Sequence, residues 1–355
     1  MHIDARIGSD PAKAPQRASR LEADGFDGVW AAELVHNPFL ALALAADRTE
    51  SVTLGSSLAV AFARSPMITA QSAWDVQLIA AGRFNLGLAS QIKPHIVRRF
   101  GMPWSKPAAR MEEYIAALHA IWDYWEHGRK LDFRGDFYQH TFSNPMVTPP
   151  PHAYGRPKVH IGAVGPLMTR AAGRAADGLQ CHSLATSAYV RDVALPVLNQ
   201  AREAAGRPEG AVEITVFPFI VAAETEQSFE SQMKTVRSMM ANGCSTPAYR
   251  GILEHHGWGD VQTEMHTMTR QGRWTEMPDV LDDEIVHTIA AVGTPVEVAD
   301  MLLARFGDMA DRLLISMPIA DGSDGPCGVY ADLRTLMENL RNLGPSRRPG
   351  TSGPT

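Results

Sequence analysis

The chain has 355 residues, 45% of them hydrophobic, and a formal net charge of −6, which is enough apolar content to bury a large core and excludes disorder of the whole. Lys and Arg are scattered, with one short basic spot at Lys93, Arg98 and Arg99, and this argues against a nucleic-acid partner. Three dispersed cysteines, Cys181, Cys244 and Cys327, exclude a disulfide framework, and the longest apolar stretch, Phe39 to Ala46, is far too short to span a membrane. The start, Met1-His2-Ile3-Asp4, shows no leader pattern, so a soluble protein of the reducing cytoplasm is expected.

Short apolar β-type runs begin near His2, Gly28, Val52, Arg83, Lys158, Gly178, Val212 and Arg312, with amphipathic helical stretches between them over most of the length. That alternation predicts parallel strands joined by helical crossovers. Eight repeats without a second composition regime predict one α/β domain over residues 1–343, a (β/α)8 TIM barrel that binds ligands at the C-terminal ends of its strands. A doubly wound sheet is the weaker alternative, because no G-x-G-x-x-G fingerprint follows the first strand.

The segments that follow the strands hold the candidate site residues. After Gly28-Val29-Trp30 come Glu33 and His36, able to contact a cofactor ring or carry protons; alternatively, Glu33 orients a neighbouring loop and His36 is a surface residue. The third strand ends in Gly55, Ser56 and Ser57 before Leu58, small residues that let a planar ring approach the backbone or simply end a strand tightly. The fourth leads to Gln91, Lys93 and His95, polar groups suited to a cofactor headgroup or a substrate carbonyl. Beyond Pro107, Met111, Tyr114, Ile115, Leu118, Ile121, Trp122 and Trp125 recur at helical spacing and read as core. Residues 128–157, with Pro149-Pro150-Pro151, read as an irregular insertion.

The fifth strand runs into Gly162-Ala163-Val164-Gly165-Pro166 and a helix, where unpaired backbone N–H groups favour an anion such as a phosphate. The sixth ends in Cys181-His182-Ser183-Leu184-Ala185-Thr186; neighbouring barrel strands bring their loops together, so Ser183 and Thr186 can complete a cradle. Residues 238–288, rich in Met, His and Gly, read as an insertion of the lid or binding-loop kind. Its Glu254, His255, His256 and His266 follow no metal-ligand spacing, so no metal is expected. Thr294-Pro295-Val296-Glu297 is a capping box opening a helix through Phe306, which feeds a strand from Arg312 to Met317. Residues 344–355 are expected to be a disordered tail. No G-x-S-x-G elbow, H-E-x-x-H helix or Walker loop occurs.

Taken in order, the segment from Glu22 to Trp30, then Glu33, Leu54-Gly55-Ser56, Ala80 to Leu88, Ile161 to Pro166, Ala176-Asp177-Gly178 and Val292 to Glu297 resemble the bacterial luciferase-like family. Within it they resemble the branch of deazaflavin oxidoreductases that use coenzyme F-420. The resemblance implies a (β/α)8 barrel, often a homodimer, that exchanges a hydride with a small-molecule substrate. It implies a flavin-like ring at the barrel mouth and a non-prolyl cis peptide bond at Ser57-Leu58. It also implies a phosphate-binding turn at Gly162, Ala163, Val164, Gly165 and Pro166 with Ser183 and Leu184 on the next strand end; together with Ser56, Ser57, Leu58, Gln91 and His182 these are the expected cofactor contacts, and the polar groups Glu33, His36 or His95 are the expected proton carriers. Relatives that oxidise glucose-6-phosphate carry Asp-His where this chain has Glu33-Leu34, so that reaction is disfavoured. The alternative cofactor is FMN, in a monooxygenase that activates oxygen. The longer tail of F-420 needs basic or amide donors, for which Lys93, Arg98 and Arg64 are the candidates.

Overall fold

The structure, a computed structural model, describes residues 1–316 and 329–343. The chain forms two compact units, Asp4–Thr215, and Val216–Thr355 together with Met1–Ile3. The first unit carries β1 (His2–Arg6), β2 (Gly28–Ala31), β3 (Thr53–Ser56), β4 (Ala59–Val60), β5 (Phe84–Ala89), β6 (Phe133–Arg134), β7 (Gln139–His140), β8 (Lys158–Ala163), β9 (Gly178–Cys181) and β10 (Glu213–Val216). Of these, β1, β2, β3, β5, β8, β9 and β10 lie side by side in chain order and all parallel, with helices in the crossovers. In the second unit β11 (Phe219–Ala222) pairs in parallel with β12 (Ala290–Gly293), and β13 (Arg312–Ile315) is the eighth of the strands expected from the sequence. The fold is of the (β/α)8 class, and its eight strands begin within one residue of the expected positions.

Side chains alternate along a strand, and here the two faces differ in chemistry. One face carries Ala5, Val29, Leu54, Leu86, Leu88, Val159, Ile161, Leu179 and Ile214, all buried, with the crossover helices packed nearby. The other carries Asp4, Trp30, Asn85, His160, Gln180 and Thr215, also buried, interleaved with glycines. Those glycines make room for large neighbours: a Cβ on Gly28 would stand 2.6 Å from Asp4 Oδ1, one on Gly178 2.6 Å from His160, and one on Gly55 would collide with the Trp30 ring. Trp30 Nε1 donates to Asp4 Oδ2 at 2.8 Å, satisfying both polar groups in the interior.

The helix Pro107–His127 buries Met111, Tyr114, Ile115, Leu118, Ile121, Trp122 and Trp125, as its periodicity predicts. The capping box at Thr294 and Glu297 is formed. Residues 128–157 are irregular apart from the small β6–β7 hairpin and a short turn at Pro145–Val147. Residues 238–288 differ from the expected loop. They hold the end of the helix Glu226–Cys244, the helices Arg250–His255 and Gly259–Arg270, and most of Asp283–Ile289. Apolar residues at helical spacing, Ile252, Leu253, Met265, Met268, Ile285 and Val286, are buried there and supply the reason. Met317, Cys327 and the tail 344–355 lie outside the described residues.

Candidate functional site

The peptide bond between Ser57 and Leu58 is cis, as the resemblance implies. Five elements of the first unit hold the segment around it. The Ser57 N–H donates to the Ala31 carbonyl at 2.8 Å, and the Glu33 N–H donates to the Leu58 carbonyl at 3.3 Å. Arg6 Nη2 donates to the Ser57 carbonyl at 3.1 Å, and Gln180 Nε2 to the Ser56 carbonyl at 3.3 Å. Ser56 Oγ donates to the Gly87 carbonyl at 2.7 Å and accepts the Gly87 N–H at 2.9 Å. The Leu58 side chain fills the space left by Gly162, where any Cβ would collide with it. Gly162 is therefore fixed by packing against Leu58, a reason separate from any approach to a ligand.

Glu33 is buried, and its carboxylate is fully engaged. It accepts the Val60 N–H at 2.6 Å and a two-pronged bond from Arg64, Nη1 to Oε2 at 2.7 Å and Nη2 to Oε1 at 2.8 Å. Such a fork fixes both partners in one plane. Of the two readings the sequence left open for Glu33, this geometry matches the loop-orienting one. It also commits Arg64, whose guanidinium lies over the Phe39 ring at 5.5 Å.

The turn after β8 leads into the helix Pro166–Ala175, whose N-cap is Gly165 with no side-chain cap and with proline in the first turn. A Cβ at Gly165 would meet nothing within 4 Å. The helices beginning at Pro38, Pro66, Glu226, Asp283 and Pro295 all carry side-chain caps, each of which takes one N–H of the first turn. Here, as at the helices Ala14–Ala23, Pro107–His127 and Gly259–Arg270, no side chain caps the start, so the dipole's positive end is able to favour an anion. Ala163 and Cys181 are register partners, which sets this turn beside the loop 182–186. Tyr189 Oη donates to the Val164 carbonyl at 3.0 Å and pins the turn, while Thr186 Oγ1 accepts the Tyr189 N–H at 3.1 Å. Ser183 and Leu184 are buried. The His182 Nδ1 accepts the Leu184 N–H at 3.2 Å, and burial, helped by the Arg6 charge, lowers this imidazole to about 4. His182 is thus neutral, with its proton on Nε2. Burial pushes the Cys181 thiol up to about 12, which leaves it unreactive.

His36 and His95 are both exposed, on the segments after β2 and β5, and Arg99 ties those segments together by donating to the Leu34 carbonyl. Gln91 takes a left-handed backbone, φ +59°, that turns the chain out of β5. Lys93 and Arg98 are exposed. The sequence reading missed Arg6, Gln180 and Tyr189. Arg6 had a signal, because it shares strand parity with the polar Asp4. Among the described residues no group of three or more His, Cys, Asp or Glu is placed to hold a metal ion, and no helix is long and apolar enough to cross a membrane.

Residues 2–312 match the family model of luciferase-like monooxygenases. An uncharacterised protein of Mycobacterium tuberculosis is 42% identical over 314 residues, covering 88% of this chain and 92% of the relative. Among solved structures, the coenzyme F-420-dependent tetrahydromethanopterin reductase of Methanopyrus kandleri superposes with a TM-score of 0.75 at 17% identity, over 96% of this chain and 97% of that one. The oxygenating constituent of a diketocamphane monooxygenase from Pseudomonas putida, in complex with FMN, superposes with a TM-score of 0.68 at 15% identity, over 97% and 99%.

Proposed function

Because the chain belongs to the luciferase-like monooxygenase family, we propose that it is an oxidoreductase passing a hydride between coenzyme F-420 and an organic substrate. When bound, the deazaflavin supplies the hydride chemistry, and the chain supplies binding, orientation and proton handling. The observation that carries this reading is the charge at the strand ends. The loops after β2, β3, β5, β8 and β9 contain a single carboxylate, Glu33, which Arg64 neutralises, while the segment between β5 and the helix Pro107–His127 contains no acid and the exposed Lys93, Arg98, Arg99 and Lys106. Asp10, in the loop after β1, pairs with Lys13 at 3.6 Å. A chain of net charge −6 thus carries a basic patch after β5, which suits the lactyl-glutamyl tail of F-420 better than FMN, which ends at its phosphate. With Arg64 committed, Lys93 and Arg98 are the tail-binding groups.

The donors present fit such a cofactor. In this reading Ser56, Ser57 and Leu58 form the wall against which the ring lies, with Gln91 at its edge. The turn Gly162-Ala163-Val164-Gly165-Pro166, with His182, Ser183 and Leu184 from the next loop, receives the phosphate. His36 and His95 exchange protons with the substrate, and Glu33 holds the wall in place.

The M. kandleri relative supports F-420 and the P. putida relative supports FMN, in an oxygen-activating enzyme, as the second reading. Titrating the purified protein with each cofactor separates them. F-420 binding at low micromolar concentration or below, with turnover equal in air and under argon and no peroxide released, is the expected result. FMN binding with oxygen-dependent turnover replaces the hydride reading with the monooxygenase.

A homodimer belongs to the same proposal. The helix Pro38–Ala46 contains no polar residue, yet Leu40 is 59% and Leu44 47% exposed, and on the adjacent helix Pro66–Ile79 Ile68, Leu78 and Ile79 are also exposed. A helix apolar all round needs cover on every side, and a second copy of this face supplies it. The free, buried thiols of Cys181 and Cys244 support action in the reducing cytoplasm.

A further inference from the structure

Every hydrogen bond that the Arg110 guanidinium makes leaves the helix Pro107–His127, in whose first turn the residue is buried. A cation there opposes the helix dipole, so the helix itself gains nothing from its charge. Nε donates to Tyr138 Oη at 2.7 Å, in the turn of the β6–β7 hairpin, and Nη1 donates to the Pro103 carbonyl at 2.7 Å. The guanidinium carbon also lies 4.4 Å from the centre of the Phe62 ring, which meets Trp104 edge-on at 5.9 Å. The hairpin is a fixed base for this contact, because the Glu113 carboxylate accepts the N–H groups of Asp136, Phe137 and Tyr138 at 2.7–2.8 Å. Pro103 belongs to residues 92–105, which hydrogen bonds knit into one piece: the Phe100 N–H donates to the His95 carbonyl at 3.0 Å and the Met102 N–H to the Ile96 carbonyl at 2.9 Å. Ile96 is its buried apolar anchor, and it carries Lys93, His95 and Arg98 exposed. The piece is entered through Gln91 and left through Lys106, non-glycine residues in the left-handed region at φ +59° and +35°, a backbone state that its surroundings have to hold.

Resting on the deazaflavin reading of this site, we infer that Arg110 is a positioning residue that fixes residues 92–105 and thereby sets Lys93 and Arg98 for the cofactor's anionic tail. Long exposed side chains on a loose segment contribute little, because both segment and side chains must be ordered on binding. A segment tied at Pro103 is ordered before the ligand arrives. The planar fork of a guanidinium reaches two acceptors at once beside an aromatic ring, which the single ammonium of a lysine does not do. Arg110 acts through the Pro103 carbonyl, and no bond to cofactor or substrate is assigned to it.

The test titrates F-420 and FMN into wild type, Arg110→Lys and Arg110→Met at low and high salt, and follows amide hydrogen exchange without ligand. FMN lacks the tail and is the control. Both substitutions are expected to speed exchange across residues 92–105 about tenfold. They are expected to weaken F-420 binding about fivefold and to leave FMN affinity unchanged. Added salt is expected to weaken F-420 binding in wild type and to do so less in the variants, where the tail no longer meets fixed cations. An equal loss of both affinities with the salt dependence intact marks a merely structural role and overturns the inference, as does unchanged exchange or unchanged F-420 affinity in a folded variant. Should thermal melts show that neither variant folds, Tyr138→Phe, which keeps the ring and removes one acceptor, decides alone: F-420 affinity is expected to fall about twofold, and no fall overturns the role. A wild type that binds no F-420 defeats the reading of the site, and the role of Arg110 falls with it before any variant is made.

Discussion

Gly162 and Gly165 stand in one turn and are glycine for different reasons. A side chain at Gly162 would collide with Leu58, whereas one at Gly165 would enter open space at the start of an uncapped helix. Gly165→Val is therefore expected to leave the fold intact and to weaken cofactor binding by about tenfold or more, roughly 1.4 kcal/mol. Isothermal titration alongside a thermal melt checks it: unchanged affinity in a folded variant removes this turn from the site. The sequence announces such a turn, because Gly-Pro before a helical run has few other uses. It does not announce that Glu33 is spent on Arg64, since the two are 31 residues apart and meet only through the fold.

At the scale of elements, strands bounded by turn residues and followed by a helical run are legible, and those that continue directly from another element are not. Phe84–Ala89 and Lys158–Ala163 place large apolar residues at every second position and were read correctly. Ala290–Gly293 is made of small residues and continues directly from a helix, so nothing local marks it as β12; its strand state comes from pairing with Phe219–Ala222. The helix Pro38–Ala46 was visible as an apolar run, but its exposed side was not. The double substitution Leu40→Asp with Leu44→Asp puts two charges on that side. Light scattering on an eluting peak is expected to report dimer for wild type and monomer for the variant, with far-UV dichroism unchanged. A monomeric wild type contradicts the assignment of this face.

Across the whole molecule, several histidines are held neutral by burial. His182 and His119 are lowered to about 4, and His140 and His256 are shifted the same way. In the unfolded chain they titrate near the ordinary value of about 6.5. Between those limits the unfolded chain binds protons that the folded chain refuses, so stability is full above about pH 6.5 and falls as pH drops toward 4. Melting temperatures measured from about pH 7.5 down to 4.5 are expected to decline in that window, and His119→Gln to make the decline shallower. An equal slope in wild type and variant rejects His119 as a contributor. Composition alone carries the count of histidines and not their burial, which only the packed strands and helices determine.

The interior pairs of a glycine with a bulky partner bear on how such a chain can change over generations. Gly55 faces Trp30, Gly178 faces His160, and Gly28 faces Asp4. Adding a methyl group to any of these glycines first is overpacking, while shrinking the partner first leaves a hole, and holes are tolerated as long as the chain stays above its folding threshold. Descent therefore has a preferred order: Trp30 must become small before Gly55 can acquire a side chain, and the reverse path is closed. Lineages of this chain would then show the two positions changing as linked events, with the tryptophan lost in the ancestor and the glycine replaced only in its descendants.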